Sequence, residues 1–217
     1  MLKAISQIPA GLLMLHNAPA LFDRLYRFDW YSDQLRDWAG SLNIQPDMQV
    51  LDLGCGPGNL TRELAAGGVR ITGVDKSEAM IKRAKRPQSR AQFKVDNATG
   101  LDMGAASFDV VLSASLINVV PEPSALLSEM ARVLGSHGRA SVLFPTPQFD
   151  PAHAEQIITT RRLKPFAAGA IRLWAGKARK LDPAEVSQYF MTSGFETPVV
   201  DRYLEGGLAA VTAYASA

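Results

Sequence analysis

Val50-Leu51-Asp52-Leu53-Gly54-Cys55-Gly56-Pro57-Gly58-Asn59 runs from an apolar strand pattern straight into three glycines at alternating positions, and a helical pattern follows. Asn59 to Ala66 sets Leu60 and Leu64 on one helical face, so the local order is strand, glycine loop, helix. Lacking Cβ atoms, Gly54, Gly56 and Gly58 permit unusual φ values. They also let a ligand approach a backbone whose N–H groups meet the positive end of the helix. A dinucleotide fingerprint spaces its glycines G-x-G-x-x-G, whereas the third glycine here comes one residue early and Asn59 stands in the expected place. The Gly-Lys-Ser/Thr ending of a phosphate-cradling P-loop is missing too, so NAD and ATP are both disfavoured.

The same alternation continues outward. Val69 to Val74 reads as a strand, Ser77 to Lys85 as a helix, and Ala91 to Val95 as a strand after a break at Pro87. Phe108 to Ser113 is a further strand. Ser124 is the expected N-cap of a helix whose Leu127, Met130, Val133 and Leu134 make one stripe, with Gly135 and Gly138 ending it. Ala140 to Phe144 is the next strand, and a less regular stretch precedes a helix from Pro183 to Ser193. Glu196–Val200 and Leu208–Ala213 read as a terminal hairpin. Upstream, the spacing of Leu21, Leu25, Phe28, Leu35, Trp38 and Leu42 predicts one or two amphipathic helices.

Strands alternating with helices imply an α/β fold, a doubly wound, mainly parallel sheet of seven strands with a terminal antiparallel hairpin. An N-terminal helical cap, residues 1–45, precedes a Rossmann-like core, residues 46–217, with a cap insertion around 146–182. In such a fold the chemistry sits just beyond the C-terminal ends of the strands.

Bulk properties narrow the function. With 217 residues, 47% apolar and 20% charged, the chain suits one compact domain. A net charge of +2 is too weak a field to announce nucleic acid. Cys55 is the single cysteine, so an intramolecular disulfide is impossible and a reducing cytoplasm is expected. The apolar run from Ile8 to Leu15 is far short of the ~20 residues that span a bilayer. With Lys3 before it, that run weakly mimics a signal peptide. With Arg24 and Arg27 nearby it could instead touch a lipid surface, and a lid helix is the simpler expectation. His16, His137 and His153 are isolated, and no metal site is expected.

The motif D-x-G-x-G-x-G after a strand resembles motif I of class I S-adenosylmethionine-dependent methyltransferases. Ile71-Thr72-Gly73-Val74-Asp75-Lys76-Ser77 is similar to that family's second strand, Asp96-Asn97 to its adenine turn and Ser107-Phe108-Asp109-Val110-Val111 to its fourth strand. Ala131-Arg132-Val133-Leu134 is similar to the helix before strand five, so matching segments run in order from Val50 to Leu134. The resemblance implies S-adenosylmethionine as cofactor. Gly54, Cys55, Gly56 and Gly58 would line its methionine part and Asp52 would lie near its amino group. Asp75, with Lys76 beside it, would hold both ribose hydroxyls. Asp96 and Asn97 would meet the adenine, where a plain turn is the alternative. Met80 would pack on the ring or belong to the core, and Ser113 would close the pocket from below.

The sulfonium methyl is already activated, so in-line transfer mainly requires positioning, which can supply about 7–11 kcal/mol. Tyr31 and Asn118 are the candidate positioning residues on the acceptor side, with Tyr26 and Trp30 as further aromatics and core packing an equal explanation for Trp30. Asn118 stands where many small-molecule relatives have His, and an amide cannot act as a base. Between Asp150 and Asp182 the cations Arg161, Arg162, Lys164, Arg172, Lys177, Arg179 and Lys180 could draw an anionic acceptor. A solvated helix face is the favoured explanation. The expected activity is methylation of a small molecule by a monomer or homodimer. The alternatives are other sulfonium chemistry releasing methylthioadenosine, a non-catalytic binding protein and a macromolecular substrate.

Overall fold

The computed structural model describes residues 17–86 and 88–216. The expectations that fall on Lys3, the Ile8–Leu15 run, His16 and the break at Pro87 lie outside the described residues. Two helices open the described chain, α1 (Ala18–Leu25) and α2 (Asp29–Ser41). The core follows as β1 (Gln49–Leu53), α3 (Asn59–Ala66), β2 (Arg70–Asp75), α4 (Glu78–Ala84), β3 (Gln92–Val95) and β4 (Phe108–Ala114). Its second half comprises α5 (Pro123–Val133), β5 (Leu134–Pro145), α6 (Pro151–Thr160), α7 (Pro165–Lys177), α8 (Pro183–Thr192), β6 (Val199–Tyr203) and β7 (Leu208–Tyr214).

The seven strands form one sheet in the order β3-β2-β1-β4-β5-β7-β6. All pairs from β3 through β5 are parallel; β7 runs antiparallel to both β5 and β6. The strand order reverses between β1 and β4, which makes the crevice above their C-terminal ends the natural ligand position.

Period-two alternation splits the buried side chains between two layers. Val50, Val110, Leu112 and Leu143 face a cluster with Trp38 of α2 and Ile171 of α7, while Leu51, Val111, Val142 and Phe144 face a cluster with Leu127 of α5 and Phe190 of α8. Covered on both faces, the central strands read as nearly continuous apolar runs.

Several boundaries depart from the expected ones. Ser124 is not the N-cap of α5. Pro123 occupies the first turn, where its missing N–H is no loss, and Glu122 takes the cap position. The helix ends at Val133, just before Gly135, as expected, but no loop follows: Leu134 already pairs with Phe108, so β5 begins there rather than at Ala140 and continues to Pro145 through a register shift. A Cβ on Gly138 would lie 2.9 Å from the Gly135 carbonyl oxygen, so the glycine serves that bulge. The sixth strand begins at Val199 rather than Glu196. It is an exposed edge whose register is set by pairing with β7 rather than by a buried face. The irregular stretch after β5 holds two helices, α6 and α7, each with a proline in its first turn.

Candidate functional site

The backbone N–H groups of Gly54 and Cys55 both donate to the Val74 carbonyl, 2.8 and 2.9 Å away, which turns the chain sharply at the end of β1. Beyond that turn, two of the glycines do different work. Gly58 has φ +70, and a Cβ there would lie 2.6 Å from the Phe93 ring, so this glycine lets α3 pack against β3. Gly56 has φ +54 and nothing within 4 Å of where a Cβ would be. Its open side faces a cavity of about 390 Å³, a size suited to a small-molecule ligand.

Carboxylates from three strands converge on this cavity. At the end of β2, Asp75 accepts from the Gly56 N–H through Oδ2 (3.0 Å) and from the Ser77 N–H through Oδ1 (2.9 Å). Each oxygen keeps a further lone pair for a ligand hydroxyl. After β3, Asp96 accepts from the Asn97 N–H at 2.8 Å and the Asp102 N–H at 3.2 Å, with Lys94 Nζ 3.1 Å away. Burial pushes its carboxyl up, but the hydrogen bonds from Lys94, Asn97 and Asp102 outweigh that and hold it low. Asp96 and Asn97 therefore form a turn and also line the cavity. Asp52 is buried under the loop, where Thr61 Oγ1 donates to its Oδ2 at 2.6 Å. Burial, with the nearby charge of Asp75 adding to it and the Thr61 bond opposing it, pushes Asp52 up to about 7. Burial and the charges of Asp52 and Asp75 push the Cys55 thiol well above its usual range, which leaves it protonated and inert.

Asp52, Gly54, Cys55, Gly56, Asp75 and Lys76 all line the cavity, as do Met80 and Tyr31. Gly58, Ser113 and Asn118 do not. Ser113 is fully buried, and its hydroxyl donates to the Leu53 carbonyl at 2.8 Å, so it ties β4 to β1 instead of closing the pocket. Asn118 is tucked inward beside Ile117 with its Oδ1 unpartnered, so the expected positioning amide is not on the wall. Tyr31 is on it, with its phenol pushed up to about 12 by burial. Trp30 packs into the core behind Tyr31.

Other wall residues carry no sequence signal for the site. Phe22 and Leu35 come from α1 and α2; Leu116, Val119, Val120 and Pro121 come from the loop after β4, which Ser115 enters at φ +54. The insertion at 146–182 contributes no lining residue and reaches the site only indirectly, through Trp174, 5.8 Å from the Tyr31 ring. Its cations are partly spent on the protein. Arg161 pairs with Glu205, Arg172 pairs with Glu155 and Lys180 donates to the Ala175 carbonyl. Among the described residues no cluster of three His, Cys, Asp or Glu could hold a metal ion, and no helix is long and apolar enough to cross a membrane.

Residues 51–142 match the family model described as a methyltransferase domain. A demethylmenaquinone methyltransferase of Beutenbergia cavernae is 35% identical over 151 residues, 64% of this chain and 62% of the relative. The chain spans less than two thirds of the length of the curated relatives it matches. Among solved structures, a chain of the structure titled a complex between the Haloferax volcanii Trm112 methyltransferase activator and the putative methyltransferase superposes with a TM-score of 0.71 at 16% identity, covering 96% of this chain and 98% of that one. The magnesium protoporphyrin IX methyltransferase of Synechocystis with bound S-adenosylhomocysteine gives 0.59 at 20% identity, covering 85% and 81%.

Proposed function

From the premise that residues 51–142 form a methyltransferase domain of the class I, S-adenosylmethionine-dependent kind, we propose that the protein methylates a small, largely apolar acceptor. The observation that carries this is the open side of Gly56, faced by one cavity that Asp52, Asp75 and Asp96 also line. A sulfonium nucleoside fits that donor and acceptor set, and when bound it supplies an activated methyl group. Asp75 would accept from adjacent ribose hydroxyls while still held by Gly56 and Ser77, and Lys76 would flank it. Asp96 and Asn97 would face the adenine, with Met80 against the ring. Asp52 would sit beneath the ammonium group, and Gly54, Cys55 and Gly56 would line the methionine chain.

The acceptor would enter between the N-terminal helices and the loop after β4, where Phe22, Leu35, Leu116 and Val119 make an apolar wall. The relatives named for demethylmenaquinone and for 2-methyl-6-phytyl-1,4-hydroquinone point to an aromatic ring of the quinone class. Tyr31 is the positioning residue we assign to that wall. Among the described residues no His or carboxylate outside the three cofactor-side acids lines the cavity, and on this reading the work falls to positioning. On this reading the expected N-terminal cap divides: α1, with residues 146–182, covers the site, and α2 joins the rest of 46–217 in the core. The enzyme would work in the cytoplasm as a monomer or homodimer.

Calorimetry with S-adenosylhomocysteine tests cofactor binding. Mass spectrometry after incubation with S-adenosylmethionine and a quinol then tests the reaction. S-adenosylhomocysteine and a methylated quinol are the expected products; methylthioadenosine would refute methyl transfer.

A further inference from the structure

Tyr26 stands on the cavity wall with its hydroxyl donating to Glu63 Oε2 at 2.6 Å. Glu63 belongs to α3, and its other oxygen accepts from Arg36 Nε at 2.7 Å. Arg36 is itself held by Asp33 Oδ1 at 3.1 Å and Ser32 Oγ at 3.0 Å, so the carboxylate has a fixed partner on each side. Burial, then the hydrogen bond and charge of Glu63, push the Tyr26 phenol far above its ordinary range. Burial opposes ionisation of Glu63, but the bonds from Arg36 and Tyr26 outweigh it and keep that carboxyl low. The phenol therefore stays protonated, and its one proton is committed to Glu63. Only lone pairs of the Tyr26 oxygen remain for a ligand. The Tyr31 hydroxyl, on the same wall, has no hydrogen-bond partner among the described residues and can both donate and accept.

We propose that Tyr26 is a specificity-determining residue for the acceptor, taking a hydrogen bond from a hydroxyl or amine of the substrate, and that Glu63 is the positioning residue that fixes this polarity. The inference rests on the methyl-transfer reading and narrows its substrate class to neutral rings bearing a donor. An ether or carbonyl at that point would set lone pairs against lone pairs. A carboxylate or phosphate would also meet the field of Glu63. A site built around such a bond discriminates strongly against an analogue lacking the proton, because its own polar group is then left unpaired.

The test uses protein saturated with S-adenosylhomocysteine and two probes, hydroquinone and its dimethyl ether, with affinities read by calorimetry. The expected result is a preference for hydroquinone of about tenfold or more. Tyr26→Phe should abolish the preference by weakening hydroquinone alone. Glu63→Gln, whose amide N–H can donate to the phenol oxygen, should erode it, and Glu63→Asp, which keeps the carboxylate, should retain part of it. S-adenosylhomocysteine affinity close to the wild type in each variant shows that the cap and the loop are intact. A preference that survives Tyr26→Phe, or a variant that weakens both probes alike, overturns the proposal while leaving methyl transfer standing. A wild-type protein that does not bind S-adenosylhomocysteine overturns both.

Discussion

At the scale of single residues, burial and backbone conformation decide what the glycine loop can do. Asp52 is pushed from its ordinary 3.8 up to about 7, so the folded protein binds its proton more tightly than the unfolded chain does. The sign follows from linkage: between those values the native state holds the extra proton, and stability falls as pH rises from about 4 through 7. Asp52→Asn should therefore raise the thermal midpoint of the free protein at pH 8, by a free energy on the order of a few kcal/mol, and change it little at pH 4. The same variant should bind S-adenosylhomocysteine about tenfold or more weakly, because the charge facing the ammonium is gone. A midpoint unchanged at pH 8 would refute the buried-carboxylate account. The glycines give a second, paired prediction. Gly58→Ala forces a Cβ to 2.6 Å from Phe93 at φ +70 and should cost about 1–3 kcal/mol in denaturant unfolding. Gly56→Ala meets nothing in the protein, so it should cost only about 1–2 kcal/mol of backbone strain yet still block ligand binding in calorimetry. Equal effects of the two substitutions on stability and binding would contradict the division of labour between them.

Elements are tied together by a few buried polar contacts that no local pattern announces. Trp38 of α2 donates its indole N–H to Ser141 Oγ of β5 at 2.8 Å, and Ser141 shares a 2.7 Å hydrogen bond with Thr212 of β7. Trp38→Phe keeps most of the apolar volume but leaves Ser141 short of a donor, so a loss of about 1–2 kcal/mol is expected in urea unfolding. No loss would mean that the indole acts by volume alone. Such contacts also mark where sequence reading stops. The strand, glycine loop and α3 were legible because apolar runs, glycines and a helical stripe change period within a dozen residues. Asp75 and Asp96 were legible through the family resemblance of the segments around them, and the structure has the first at the end of β2 and the second just after β3. The loop after β4 was not. Its path depends on Ser115, whose N–H is held by the Leu143 carbonyl of a neighbouring strand, and that turns Val119 outward and Asn118 inward. Glu63 was equally hidden, since it reads as one charge on an exposed helix face until folding brings Tyr26, 37 residues away in sequence, within 2.6 Å. In α7, Ala167, Ala168, Ala170 and Ile171 are buried together, so no single stripe betrays the helix.

For the whole molecule, the question is which parts belong to the core and which cover it. The first helices divide on this point. From α2, Trp30, Leu35, Trp38, Ala39 and Leu42 enter the layer that covers one face of the sheet, and Gln34 accepts from the Leu204 N–H at 2.6 Å near the far end of the chain. Arg139 of β5 donates to the Leu42 carbonyl just beyond the same helix. Removing residues 17–45 would bare the part of that face that α2 covers, and deleting two buried tryptophans alone would cost several kcal/mol, comparable with the whole stability of an ordinary domain. α1 is different. It is held through Asp23, which pairs with Arg83 at 2.5 Å and Arg86 at 3.3 Å, and it lends the cavity Phe22 while burying little else than Ala20 and Leu21. A chain beginning at Phe28 should therefore keep a cooperative thermal transition and lose only ligand affinity, by about tenfold. A chain beginning at Asn43 should show no cooperative transition in calorimetry. S-adenosylhomocysteine in excess should raise the midpoint of the full chain by mass action and raise that of the shorter folded chain less. Cooperative unfolding of the chain that starts at Asn43 would show that α2 is a detachable cover rather than part of the core.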